Sequence, residues 1–164
     1  MKAYWIVLAM IGFSLRAPIP VISAENGNNR AADVAAIRRV SANVDAAYNR
    51  RDAVAFSAYF LEDADFQWHT GALLKNREEI RRHFAEAFKT MPADYRHITT
   101  LLRIRFLSPD IAVGDGTVVI ARAGAADNEQ PYMKVLMTGV AKKDRGQWRI
   151  AAIRLIPIIQ AGAP

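Results

Sequence analysis

The sequence predicts an α+β domain: a curved antiparallel sheet with three N-terminal helices packed on its concave face. Apolar residues recur at helical spacing up to Met91, whereas from Leu102 onward they alternate with a period of two. Short turns rich in Gly, Pro and Asp separate the alternating runs, as in a meander of long strands. The stretch Tyr48–Trp68 joins the two halves and reads as a helix end, a polar turn, a short second helix, an acidic turn and the start of a strand. A bent sheet closed by helices leaves a conical cavity, and a cavity is where a small ligand binds.

Residues 25–32 are polar and read as a flexible lead-in. Asp33 opens the first helix, whose apolar stripe is Val34, Ile37, Val40, Val44 and Tyr48. That helix ends around Asn49-Arg50-Arg51, where Asn tolerates a left-handed conformation. Asp52 caps a second helix from Ala53 to Leu61, and Ala64 to His69 is the first strand. The third helix is the best signposted: Asn76 caps it, Glu79 stands at the capping-box position and Pro92 stops it. Its buried stripe is Ile80, Phe84, Ala87, Phe88 and Met91.

In the second half, Leu102, Ile104 and Phe106 alternate inward, and Ser108-Pro109-Asp110 forms a turn. Ile111 to Ala121 is a strand with Gly114, Asp115 and Gly116 in mid-run, which marks a bulge or bend. Tyr132 to Lys143 is apolar on both faces, Asp144-Arg145-Gly146 is a hairpin turn, and Gln147 to Ile156 is the last strand.

At 164 residues the chain holds one domain with a real core. Lys2, the apolar run Ala3–Leu15 and the small-residue end Ser23-Ala24 read as a signal peptide over residues 1–24, with an uncleaved anchor as the alternative. The protein is therefore expected to be exported, periplasmic or secreted, with no membrane contact beyond that segment. The domain then spans residues 33–157, and 158–164 is a C-terminal tail. Without cysteine there is no thiolate chemistry and no Cys-based zinc site. Net charge is +6; removing Lys2 and Arg16 with residues 1–24 leaves 20 bases against 16 acids, or +4. Those bases are scattered and lack interleaved aromatics, so no nucleic-acid partner is expected.

The succession Tyr48-Asn49-Arg50-Arg51-Asp52, Tyr59-Phe60-Leu61-Glu62-Asp63-Ala64-Asp65-Phe66 and Asn76-Arg77-Glu78-Glu79-Ile80 resembles the nuclear transport factor 2-like superfamily. Arg103 to Val113 and the closing Gly146-Gln147-Trp148-Arg149-Ile150-Ala151-Ala152 fit the same pattern, and the whole looks most like its SnoaL-like, SgcJ/EcaC-type branch. The resemblance covers roughly Ala36 to Ile156 and implies a cone-shaped barrel, a pocket beneath the long helix and a homodimer formed through the sheet. It does not fix a reaction, because the superfamily holds isomerases, dehydratases and cyclases alongside binding modules. The resemblance places the isomerase base at Trp68, the helix Tyr at Val44 and the oxyanion acid near Val135–Thr138. None of those groups is present, which disfavours steroid-type proton shuttling.

The residues expected to line the pocket are Tyr48, Tyr59, Trp68, His83, Phe84, Asp115, Met137 and Arg154. His83, beside the Phe84 stripe, reads either as an acid–base group at the pocket mouth or as a boundary histidine. Asp115 is costly if it faces the core unpaired, so it is either wet or a cavity group partnered by Arg154; Arg154 alternatively snorkels at a rim. His69 reads as a rim residue and His97 as exposed. Glu62, Asp63 and Asp65 read as turn chemistry. The three histidines show no metal-ligand spacing, and no phosphate loop, nucleophile elbow or dinucleotide fingerprint appears, so neither metal nor cofactor is expected. The function expected is binding of a small, largely apolar molecule in a conical pocket. The alternatives are a non-enzymatic dimeric interaction module and an acid–base isomerase or cyclase.

Overall fold

The structure is a computed structural model that describes residues 25–126 and 129–158. The expected signal peptide and residues 159–164 of the expected tail lie outside the described residues. Three helices, α1 (Glu25–Asn49), α2 (Ala53–Ser57) and α3 (Arg77–Thr90), accompany six strands. The strands are β1 (Phe60–Gln67), β2 (Leu73–Leu74), β3 (Tyr95–Ser108), β4 (Ile111–Arg122), β5 (Met133–Asp144) and β6 (Gln147–Pro157). They form one sheet in the order β2-β1-β6-β5-β4-β3. Every pairing is antiparallel except β1 with β6.

Local chemistry explains the helix ends. Asp52 accepts a hydrogen bond from the Ala55 N–H at 2.9 Å. Asn76 accepts from the Glu79 N–H at 2.8 Å, while the Glu79 carboxylate reaches back to the Lys75 N–H at 2.9 Å. Three boundaries differ from the sequence reading. Helix α1 already runs from Glu25, so the stretch expected to be a loose lead-in is helical. Helix α2 is a single turn, and β1 starts at Phe60, where it pairs with Ile150 of β6. The left-handed residue after α1 is Arg51, with φ 60°, and Asn49 uses its side chain elsewhere.

Inward-facing side chains of β4, β5 and β6 meet α1 and α3 in an aromatic core. Phe84, 1% exposed, lies within 6 Å, ring centre to ring centre, of Tyr48, Phe56, Phe66, Trp68 and Phe88. Strand β4 alternates strictly, with Ala112, Gly114, Gly116, Val118 and Ile120 buried. Strand β3 does not. A register shift between Leu101 and Arg103 turns Leu101 inward and leaves Leu102 68% exposed, correcting the expectation that Leu102 faces the core; Ile104 and Phe106 remain inside.

The free edge of β3 is covered by polar side chains of α1 and of the turn that follows it, which closes the cone along that side. Asn49 pairs with both main-chain groups of His97, accepting from N–H at 2.7 Å and donating to C=O at 3.0 Å. Arg38 donates to the Leu101 carbonyl at 3.2 Å, and Arg51 donates to the carbonyls of Pro92 and Tyr95 at 2.7 and 3.0 Å. Nearer its start, α1 is tied to the β5–β6 hairpin: Asp33 accepts from the Trp148 indole and from Lys143, each at 2.8 Å. Burial pulls the Asp33 pKa upward, but these two bonds and the charges of Lys143 and Arg30 bring it below the ordinary carboxylate value.

Candidate ligand cavity

A cavity of about 100 Å³ lies between α1, α3 and the concave face of the sheet. Its wall is almost entirely apolar, with Val44, Phe66, Phe84, Val118, Met137 and Leu155 typical of it. Among the described residues, Ser41, His97, Thr99 and Arg149 are the polar and charged residues that line it. Ser41 comes from α1, one turn before Asp45. His97 and Thr99 come from β3, alternate residues on its inward face.

Asp45 organises this polar corner. One of its carboxylate oxygens accepts from His97 Nδ1 at 2.8 Å and from the Thr99 hydroxyl at 2.7 Å. The other accepts from the Thr99 N–H at 2.8 Å. A carboxylate can only accept, so His97 carries its proton on Nδ1 and presents an unprotonated Nε2 when neutral. Asn49 holds the main chain of the same histidine, and Tyr48 packs along its ring with centres 4.3 Å apart. His97 is thus fixed on three sides; its Nε2 has no hydrogen-bond partner among the described residues. Its side chain is 11% exposed and Asp45's is 18%. The exposed His97 expected from the sequence is corrected. Strand β3 begins at Tyr95, and the edge-on helix covers the ring.

The other sequence candidates divide between the two faces of the sheet and the outside of α3. Trp68, Phe84 and Met137 are in the cavity wall. Tyr48 is buried behind it among Phe56, Phe84 and Phe88, and burial drives its phenol pKa well above the usual range. Tyr59 packs half-buried on the core rim, where its carbonyl accepts from the Ile150 N–H at 2.8 Å. His83 stands on the outer side of α3 with Arg82 and Glu86, its ring 5.4 Å from that of Trp68; burial of one side lowers its pKa. It is not a cavity group.

Asp115 and Arg154 are not partners and do not enter the cavity. With Gly114 and Gly116 buried, strand alternation turns Asp115 to the outer face, where it accepts from Thr138 at 3.0 Å and Arg103 at 3.2 Å. Arg154 makes a two-pronged pair with Asp65 on that same face, at 2.5 and 2.9 Å. Its parity with Trp148 is broken because β6 slips register on β5: Val140 pairs with Ala152, but Ala141 pairs with Ile150. Beyond that slip Ile153 and Leu155 face inward and Arg154 faces outward. Asp65, read as turn chemistry, is a strand residue in an ion pair.

Residues 29–154 match the SnoaL-like domain family, and the chain belongs to that family, within the nuclear transport factor 2-like superfamily. Similar solved structures include a domain of unknown function with a cystatin-like fold from Nostoc punctiforme, 26% identical, covering 79% of each chain with a TM-score of 0.69. An NTF2-like protein with a cystatin-like fold from Novosphingobium aromaticivorans is 17% identical, covering 87% of this chain and 94% of that one, TM-score 0.73. LinA is 20% identical, covering 84% of this chain and 99% of that one, TM-score 0.66. No curated protein sequence matches the chain.

Proposed function

We propose that this SnoaL-like domain binds a small, largely apolar molecule in the cavity and that His97, oriented by Asp45, exchanges a proton with it. The observation that carries the reading is an unpartnered imidazole nitrogen at the polar corner of a largely apolar enclosure. A buried base with its other nitrogen locked to a carboxylate is how a histidine is set up for general acid–base work. The apolar wall supplies the binding energy by removing ligand surface from water. The test is titration of the folded domain with toluene, followed by NMR. Methyl resonances of Val44, Val118, Met137 and Leu155 are expected to shift and to saturate together. Unmoved resonances in toluene-saturated buffer would overturn the reading.

A second reading concerns assembly and is compatible with the first. The outer face of the sheet exposes Ile98, Leu136 and Ile156 beside the Asp65–Arg154 and Asp115–Arg103 pairs. Apolar surface of that kind on a sheet face is a contact surface. We propose that two copies join through it. Sedimentation equilibrium is expected to give twice the chain mass, and Leu136→Lys is expected to return the monomer. A monomeric native protein would remove this reading.

A further inference from the structure

The apolar enclosure has one polar corner, and its free hydrogen-bonding capacity is specific. Thr99 spends its hydroxyl proton on Asp45. Arg149 donates to the Ala58 carbonyl at 2.7 Å, and its Nε is sealed from open space. The Trp68 indole N–H is sealed likewise. Two groups remain. The Ser41 hydroxyl and His97 Nε2 have no partner among the described residues, and neither is one of the side-chain atoms cut off from space. Both residues line the cavity.

Their relation follows from the way α1 runs along β3. Asp45 faces His97 and Thr99, while Arg38 faces Leu101, so helix and strand run in opposite directions. Ser41 lies one turn from Asp45 on the same side of the helix, at the spacing that makes side chains neighbours. Ser41 therefore borders the cavity within one helical turn of the His97–Asp45 pair. The two groups are complementary, because Ser41 can donate and the neutral His97 Nε2 can only accept.

We infer that the ligand is an oxygen-bearing ring-sized molecule, a phenol, enol or alcohol, whose oxygen accepts from Ser41 and whose hydroxyl donates to His97 Nε2. This rests on the proposed cavity reading and narrows it to a chemical class. A ring of this size requires the wall to yield. A cavity of about 150 Å³ takes up benzene. The present one, about 100 Å³, has the flexible side chains of Met133 and Met137 in its wall to give the remaining room. A purely apolar cavity rejects a hydroxyl, since burying one without a partner is costly. Preference for the oxygen is therefore a direct readout of the corner.

The experiment compares phenol with toluene, which differ by hydroxyl against methyl, on the native domain and on Ser41→Ala. Alanine suits a helix better than serine, so the variant folds. The native domain is expected to bind phenol at least as tightly as toluene. Ser41→Ala is expected to weaken phenol about tenfold, the scale of one lost hydrogen bond, and to leave toluene unchanged. Toluene binding with phenol rejected, or an unchanged phenol preference in Ser41→Ala, would overturn the inference while leaving the cavity reading intact. Failure of both probes would overturn the two together.

Discussion

Gly116→Ala is expected to cost the domain a large part of its stability. A β-carbon at this position would lie on the Thr100 carbonyl, 3.0 Å from its carbon and 3.2 Å from the Leu101 α-carbon, with the carbonyl oxygen nearer still. These are main-chain atoms of the neighbouring strand, so no rotamer change relieves the overlap. Gly116 pairs with Leu101, where β3 slips its register. The close approach therefore belongs to the bulge that turns Leu101 into the cavity. Overpacking a core costs typically about 1–3 kcal/mol. Here relief requires separating two paired strands and losing ladder hydrogen bonds, so about 4 kcal/mol or more is expected against a usual total of about 5–15. Thermal unfolding followed by circular dichroism should show a fall of at least about 10 °C. Gly114→Ala is the control. Its nearest neighbour is the Leu101 Cδ2 atom at 3.3 Å, a side-chain methyl that can move, and a change within about 1 kcal/mol is expected. Similar melting of the two variants would mean that the strands do not approach this closely.

The same bulge shows which parts of the fold the sequence made legible. Helix caps and strand alternation are local, so Asp52, Asn76, Glu79 and the run Ile111–Ile120 could be read one residue at a time. Gly114-Asp115-Gly116 reads as a bulge or bend in its own strand, but β4 alternates without a break and the extra residue sits on the partner strand, at Leu101–Arg103. A bulge depends on the strand alongside, and a single slip reverses the facing of everything beyond it. That is why period-two spacing puts Leu102 inside and gives Arg154 the parity of Trp148, although Arg154 pairs with Asp65 across the parallel β1–β6 junction. The most chemically suggestive pair was the least legible. Asp45 follows Val44 of the apolar stripe, and His97 precedes an alternating run, yet 52 residues separate them. Only the laying of α1 on the edge of β3 brings them together. One local clue was available: Ser41 and Asp45 stand four apart on the flank of an apolar helix stripe, which places two polar groups where the helix meets the sheet.

Asp45→Asn is expected to separate the structural role of this carboxylate from its chemical one. The carboxamide fits the same space. Its oxygen can accept from the Thr99 N–H, while its NH₂ replaces the carboxylate oxygen that now faces His97 Nδ1 and the Thr99 hydroxyl. Every group then keeps a partner if the Thr99 hydroxyl turns to accept and His97 accepts at Nδ1. The histidine must move its proton to Nε2 to do so. The fold is expected to hold, with a stability change within about 1 kcal/mol, because the number of hydrogen bonds is conserved. The second ring nitrogen, Nε2, changes from acceptor to donor, so a proton-accepting step by it should slow by roughly 10²–10⁴-fold, the usual contribution of a positioned acid–base group. Nitrogen-15 NMR of the imidazole reads the change without a substrate: protonated Nδ1 in the native protein, protonated Nε2 in the variant. An unchanged tautomer in a folded variant would mean that Asp45 does not set the proton position, and His97 would lose its claim to be the base. A variant that unfolds would place Asp45 among the residues that hold α1 to the β3 edge. Asp45→Ala would then be expected to fail in the same way, whereas His97→Gln, which leaves the carboxylate and Thr99 in place, should remain folded and lose only the proton-accepting nitrogen.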